Sequence, residues 1–303
     1  MSAGLTDGDL PGVWREADRS SLKGQRLTLR LVRAKVCGGV FAAVGGALTW
    51  KLGHVDLAAV MILLGFAAAL VSETTSWICN PERKWYDGRA VAESVKTLAW
   101  RYAVGADPFP AGMPPEDAEE EMRRRISRIT QEINDVVVFE TSDVVITPQM
   151  DGLRGAPFTE QRDAYVDGRT IEQKRWYAKK ARYNMRQAQG WRLALTAAEI
   201  LAVMLAIGKL FGGWQIDAAG LFAAIIGAGA AWVAVKQFAP LASAYSVATN
   251  ELGIQAGRLR SVEADRWPVV AADAEEAISR EHTTWLASRT GRPAHRPDEP
   301  GQI

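Results

Sequence analysis

The sequence predicts an all-α membrane protein with four transmembrane helices, arranged as two hairpins with helical extensions on the cytoplasmic side. Three observations carry this. Apolar residues concentrate in two windows, roughly 36–78 and 191–238. A short polar interruption divides the first window, and the second falls into two runs, Trp191 to Phe211 and Ile216 to Phe238. Lys and Arg crowd the outer flanks of both windows and thin out in the loops inside them.

The bulk composition conceals this segregation. At 48% hydrophobic and a net charge of +1 over 303 residues, the average resembles a soluble globular chain. A balanced charge argues against nucleic acid as the main partner, since such domains carry a basic excess on one face. Cys37 and Cys79 are the two cysteines, without CxxC spacing or a secreted-type framework, and are expected to be reduced thiols. The residues before Val36 are too many and too charged for a cleaved leader, so the first apolar segment is expected to stay as an anchor.

The first helix is expected over about 36–52 and the second over about 55–78, with uncharged runs of about 15 residues in each. That is shorter than the roughly 20 needed to span. Arg33, Lys35 and Glu73 lie where their side chains can snorkel to headgroups. The third and fourth helices, about 191–211 and 216–238, are long enough. Seven Lys or Arg precede the first helix, from Arg15 to Lys35, and seven precede the third, from Lys174 to Arg192. Each loop inside a hairpin holds one, Lys51 and Lys209. The positive-inside rule then places both termini in the cytoplasm. Trp50, Trp77, Trp191 and Trp214 fall near the ends of the apolar segments, as interfacial anchors do.

Small residues recur every fourth position. Gly38, Ala42 and Gly46 form a ridge on the first helix, and Ala219, Ala223, Gly227 and Ala231 form one on the fourth. Such ridges let helix backbones approach closely in lipid, either within a hairpin or between protomers of a homo-oligomer. Glu199 is the one formal charge well inside a membrane segment, and such residues face a partner or a water-filled space. Two readings stay open: a pore-lining carboxylate, or a structural one that takes the indole N–H of Trp232.

Outside these windows the pattern is helical. Residues 85–102 place Val91, Val95, Leu98 and Tyr102 on one face. Residues 115–140 open with an acidic first turn, and Met122, Ile126, Ile129, Ile133 and Val136 form a short seam. The stretch 136–147 fits a strand or an apolar connector. Further helices are expected over 165–191, 241–265 and 269–289, the last two broken at Pro268. The domain reading is a cytoplasmic segment 1–35, a first hairpin with its helices over 36–140, a linker over 141–162, a second hairpin with flanking helices over 163–289 and a disordered tail over 290–303. A local echo, WYDGRA at 85–90 and WYAKKA at 176–181, hints at duplication but is out of phase with the hairpins.

No catalytic constellation emerges, and no cofactor or metal is expected. His54, His282 and His295 are scattered, and Glu281-His282 lacks the second histidine of a zinc-binding HExxH.

The segments WYDGRAVAESVKTLAWRYAVGADPF (85–109), YVDGRTIEQKRWYAKKARYNMRQAQGWR (165–192) and EEAISREHTTWLASR (275–289) resemble SLATT domains, as two tandem units. The resemblance implies bacterial domains with a transmembrane hairpin and cytoplasmic helices, linked to second-messenger synthases and nucleotide-sensing proteins in conflict systems. It implies a pore-forming effector of the cell membrane, acting on the cell's own membrane in defence when a partner fires. The competing expectation is a non-conducting scaffold that recruits cytosolic partners through the helical extensions.

Overall fold

The computed structural model describes residues 4–131, 144–212 and 218–290. Ten α-helices dominate these residues: α1 (Gly12–Ala47), α2 (Leu57–Cys79), α3 (Pro81–Ala103), α4 (Pro115–Gln131), α5 (Pro148–Arg154), α6 (Phe158–Tyr165), α7 (Glu172–Gly212), α8 (Ala218–Lys236), α9 (Phe238–Arg260) and α10 (Trp267–Thr290). A two-residue antiparallel ribbon, β1 (Lys51–Leu52) with β2 (Val55–Asp56), joins α1 to α2. Gly53 turns it at a φ of +61°, a conformation in which a side chain would be strained. The Asp56 carboxylate caps α2 by accepting from the Ala59 amide at 3.1 Å.

The order of elements is duplicated. In each half a long helix and a short connection lead to an apolar helix, then to one left-handed residue, then to a helix of 23 residues (α3 and α9). The left-handed residues are Asn80, at φ 42°, and Gln237, at φ 50°. The repeat therefore pairs α1 with α7 and α3 with α9. The echo between 85–90 and 176–181 falls on α3 and α7, which are not equivalent.

Space divides the chain differently from sequence. One compact unit gathers 4–24, 83–131, 144–179 and 244–290 of the described residues, and the other gathers 25–82, 180–212 and 218–243. The polar ends of both halves share one core, and the apolar hairpins form the second unit. Residues 144–162, expected to belong to a linker, instead hold α5 and the start of α6. Thr147 caps α5, and Met150 and Leu153 are buried in the core of the first unit. Apolar residues placed one turn apart made this stretch foldable, and Pro148, Gly155 and Pro157 sit at helix ends. Pro268, expected to break a helix, lies in the first turn of α10, where a missing N–H costs nothing.

Among the described residues, three helices are long and apolar enough to cross a membrane: α2, the continuous helix Phe158–Gly212 and the segment Ala218–Arg260. Their apolar side chains point outward; Leu63, Leu193 and Leu210 are 68%, 72% and 76% exposed. The expected helix over 36–52 is corrected, because α1 ends at Ala47. Its uncharged end from Val36 is about 18 Å long at 1.5 Å per residue, against a hydrocarbon core of about 30 Å. Leu48, Thr49 and Trp50 leave the helix for the ribbon, and the Trp50 carbonyl accepts from the Leu57 amide at 2.9 Å.

Within the second unit α1 and α2 cross antiparallel at backbone contact. A Cβ on Gly38 would lie 2.6 Å from the Gly65 carbonyl oxygen, and one on Gly45 would lie 2.7 Å from that of Ala58. Ala42 and Ala58 are buried between them. Gly46 has open space around it, as does Gly227 on α8. The glycine on α8 that meets α7 is Gly229, where a Cβ would lie 2.8 Å from Leu195 Cδ2 and 3.5 Å from the ring of Trp191. Gly38→Val and Gly65→Val are expected to destabilise the hairpin by about 1–3 kcal/mol through overpacking. Gly46→Val and Gly227→Val should stay within about 0.5 kcal/mol. Thermal unfolding of the four detergent-solubilised variants checks this, and equal losses at Gly38 and Gly46 would refute it.

Candidate functional site

The first unit is organised around a carboxylate with no access to water. Glu275 on α10 is 0% exposed. Four donors meet it: Thr97 Oγ1 at 3.0 Å, the Tyr165 hydroxyl at 3.0 Å, and Arg169 through Nε at 2.8 Å and Nη2 at 2.9 Å. The guanidinium grips both carboxylate oxygens, a bidentate geometry that Lys cannot reproduce. A second cation, Arg101, donates from Nη2 to the Ala272 carbonyl at 3.0 Å, one turn before Glu275 on α10.

A widened turn aims Arg169 inward. Between α6 and α7 the helix opens into a π segment, Val166–Ile171, in which Val166, Arg169 and Thr170 are all buried. Such turns rotate the buried face by an extra residue and often mark functional positions. Burial works against the charge of Arg169, but Glu275 beside it outweighs that cost and holds the guanidinium above the ordinary arginine range. The Tyr165 hydroxyl is pushed well above its usual pKa, by burial first and by the Glu275 charge second.

Aromatic packing surrounds this centre. Tyr165 lies edge-on to Trp100 at 5.9 Å and to Trp267 at 5.7 Å. The Trp267 indole donates to the Val104 carbonyl at 2.7 Å. Arg154 on α5 donates to the carbonyls of Tyr102, Phe109 and Pro110 at 3.1, 2.7 and 3.0 Å, which fastens the turn after α3.

Two Asp-Gly-Arg triplets, unremarked in the sequence pattern, share one logic. In each, the glycine permits a close crossing and the arginine takes a carboxylate. A Cβ on Gly88 would lie 2.9 Å from the Ala17 carbonyl oxygen, and Arg89 pairs with Asp18 at 3.5 Å and with Glu93. A Cβ on Gly168 would lie 3.1 Å from Gly4 Cα, and Arg169 takes Glu275. The three segments that resemble SLATT domains supply Thr97, Tyr165, Arg169 and Glu275, and the fold brings these residues together.

In the second unit Glu199 lies on α7 about 10 Å along the helix from Arg192. It is exposed and, among the described residues, makes no hydrogen bond or ion pair. The indole of Trp232 is not its partner; that ring is covered by the Arg33 guanidinium, centred 5.2 Å away. Lys35 pairs with Glu73 across α1 and α2. Of the ridge residues, Gly38 and Ala42 lie in the hairpin contact; Ala219 is half-buried, and Ala223, Gly227 and Ala231 are exposed. Trp50 and Trp77 are 55% and 79% exposed, Trp191 is half-buried, and Trp214 lies outside the described residues. In the seam on α4, Met122 and Ile126 are buried and Ile129 packs on the core. Ile133 and Val136 lie outside the described residues, as does most of 136–147. No group of three His, Cys, Asp or Glu among the described residues could hold a metal ion.

Residues 11–162 match the SMODS and SLOG-associating 2TM effector domain 3, and residues 165–285 match the SMODS and SLOG-associating 2TM effector domain 1. The chain belongs to the SLATT family. It carries two SLATT domains in tandem, which accounts for the duplicated order of helices. SLATT domains are membrane effector domains that associate with SMODS and SLOG, and this chain is accordingly a membrane protein. No curated protein and no solved structure matches the chain.

Removing one partner of a buried pair strands the other, so Glu275→Gln is expected to cost about 3–5 kcal/mol in unfolding free energy. Replacing the pair together, as Arg169→Met with Glu275→Leu, should cost less than that single change. Denaturant titration of the three proteins decides it. The raised Tyr165 pKa adds a pH signature: the unfolded chain loses this proton near 10.0 and the folded chain does not. Stability should therefore be full below pH 10 and decline as pH rises beyond it. Tyr165→Phe should show a shallower alkaline decline in a pH series of melting curves.

Proposed function

We propose that this tandem SLATT protein is an oligomeric membrane effector that opens a pore when a SMODS- or SLOG-type partner signals, acting through the bilayer and not by catalysis. The observation that carries this is Glu199. A carboxylate at that depth is costly against lipid, and α7 leaves it exposed with no partner among the described residues. A second copy or a hydrated lumen is the environment that removes the cost. Rings of acidic side chains favour cations, so the pore would prefer them.

Both SLATT hairpins enter the bilayer in this reading. The short apolar end of α1 is held against α2 by its glycines, and the Lys35–Glu73 pair sits at headgroup level. The termini are cytoplasmic on the distribution of Lys and Arg. The nucleotide-signalling partner supplies the trigger, as the association of SLATT domains with SMODS and SLOG suggests.

Planar-bilayer recording of the purified chain is the test. Cation-selective current is expected, and Glu199→Gln should reduce its cation preference. An unchanged current and selectivity in that variant would remove Glu199 from the lumen. Absence of current and of dye leakage in cells with active SMODS and SLOG neighbours would point to a non-conducting scaffold.

A further inference from the structure

Two cations converge on one indole at the end of a membrane helix. The Arg33 guanidinium on α1 lies 5.2 Å from the centroid of the Trp232 ring, and Lys236 Nζ on α8 lies 5.7 Å from the same ring. Lys236 Nζ is also 5.9 Å from the Phe238 ring. The charges of Arg33 and Lys180, the latter on α7, both bear on Lys236. Among the described residues neither Arg33 nor Lys236 has a carboxylate in ion-pair or hydrogen-bond contact. On α2, Glu73 is engaged by Lys35. Like charges so gathered repel, and two cations on an indole do not cancel that repulsion.

Their depth says what would. Arg33 stands just before the apolar end of α1, and Lys236 is the last residue of the apolar helix α8. Both therefore sit at the end of a membrane segment, where headgroup phosphates lie and where tryptophan is at home. A free anion would have to reach this level against the negative potential of the membrane surface, whereas an anionic lipid is already there. We infer that Arg33, Lys236 and Trp232, with Lys180 adding charge, form a binding site for the headgroup phosphate of an anionic phospholipid. The inference rests on insertion of these helices in a bilayer and not on conduction.

The test uses the full chain in dodecyl maltoside, with phosphatidylglycerol or phosphatidylcholine added at equal mole fraction and Tm as the readout. Phosphatidylglycerol should raise Tm by about 5 °C more than phosphatidylcholine. About 0.5 M NaCl should suppress the difference, since the contacts are screened. Arg33→Gln with Lys236→Gln should abolish the difference while keeping the wild-type Tm in phosphatidylcholine. Lys51→Gln, in the loop at the far end of α1, should retain it. Equal shifts from the two lipids would overturn the proposal, as would a difference that survives in the double variant. Inorganic phosphate reproducing the shift would also overturn it, in favour of a site for free phosphate. Should the double variant fail to fold, the headgroup and salt comparisons on the wild-type chain still decide the question. Bilayer current is not read, so loss of this site and loss of the pore are separate results.

Discussion

A carboxylate removed from water must be answered in full, and the first unit is built to answer Glu275. Desolvating an ion costs several kcal/mol, so all four hydrogen bonds have to be present together. Thr97 brings α3, Tyr165 and Arg169 bring the π segment, and Glu275 brings α10. These residues are far apart in sequence and come from both SLATT domains. Net stability from such a pair is small against an apolar replacement. What it supplies is a requirement of alignment, because helices that slip by a turn leave a buried charge alone.

Much of this was legible, and the reasons are physical. Apolar windows and flanking Lys and Arg report on the bilayer directly, so α2, α7 and α8 stood out. The helical faces of α3 and α4 followed from spacing, since Val91, Val95 and Met122 do face the core. The network was not legible. Thr97, Tyr165, Arg169 and Glu275 have no spacing in common, and a glutamate on a charged helix reads as solvated until a distant arginine is placed against it. Nor was the π segment legible, because one extra residue in a turn leaves the apolar pattern almost unchanged. The end of α1 differs from the expectation for a related reason: Leu48, Thr49 and Trp50 are uncharged, but composition does not distinguish a last helical turn from the entry to a ribbon.

The two hairpins solve the problem of helix contact differently. In the first, glycine faces backbone: Gly38 meets Gly65 and Gly45 meets Ala58, with the small side chains of Ala42 and Ala58 buried between the helices. In the second, Gly229 accepts the side chain of Leu195. Recurrence at every fourth position singled out Gly38 and Ala42 but also Gly46, which has open space. The neighbour Gly45 carries the contact instead. A periodic pattern identifies a helix capable of close approach, and only the partner's own gap, here Gly65, selects the face.

Asn80 and Gln237 bear on mechanics. Each apolar helix passes into the following helix through a single left-handed residue, with its amide still bonded to the preceding turn, at 3.1 Å for Asn80 and 2.8 Å for Gln237. Neither junction has room for a flexible loop, and the same arrangement recurs at equivalent places in the two SLATT domains.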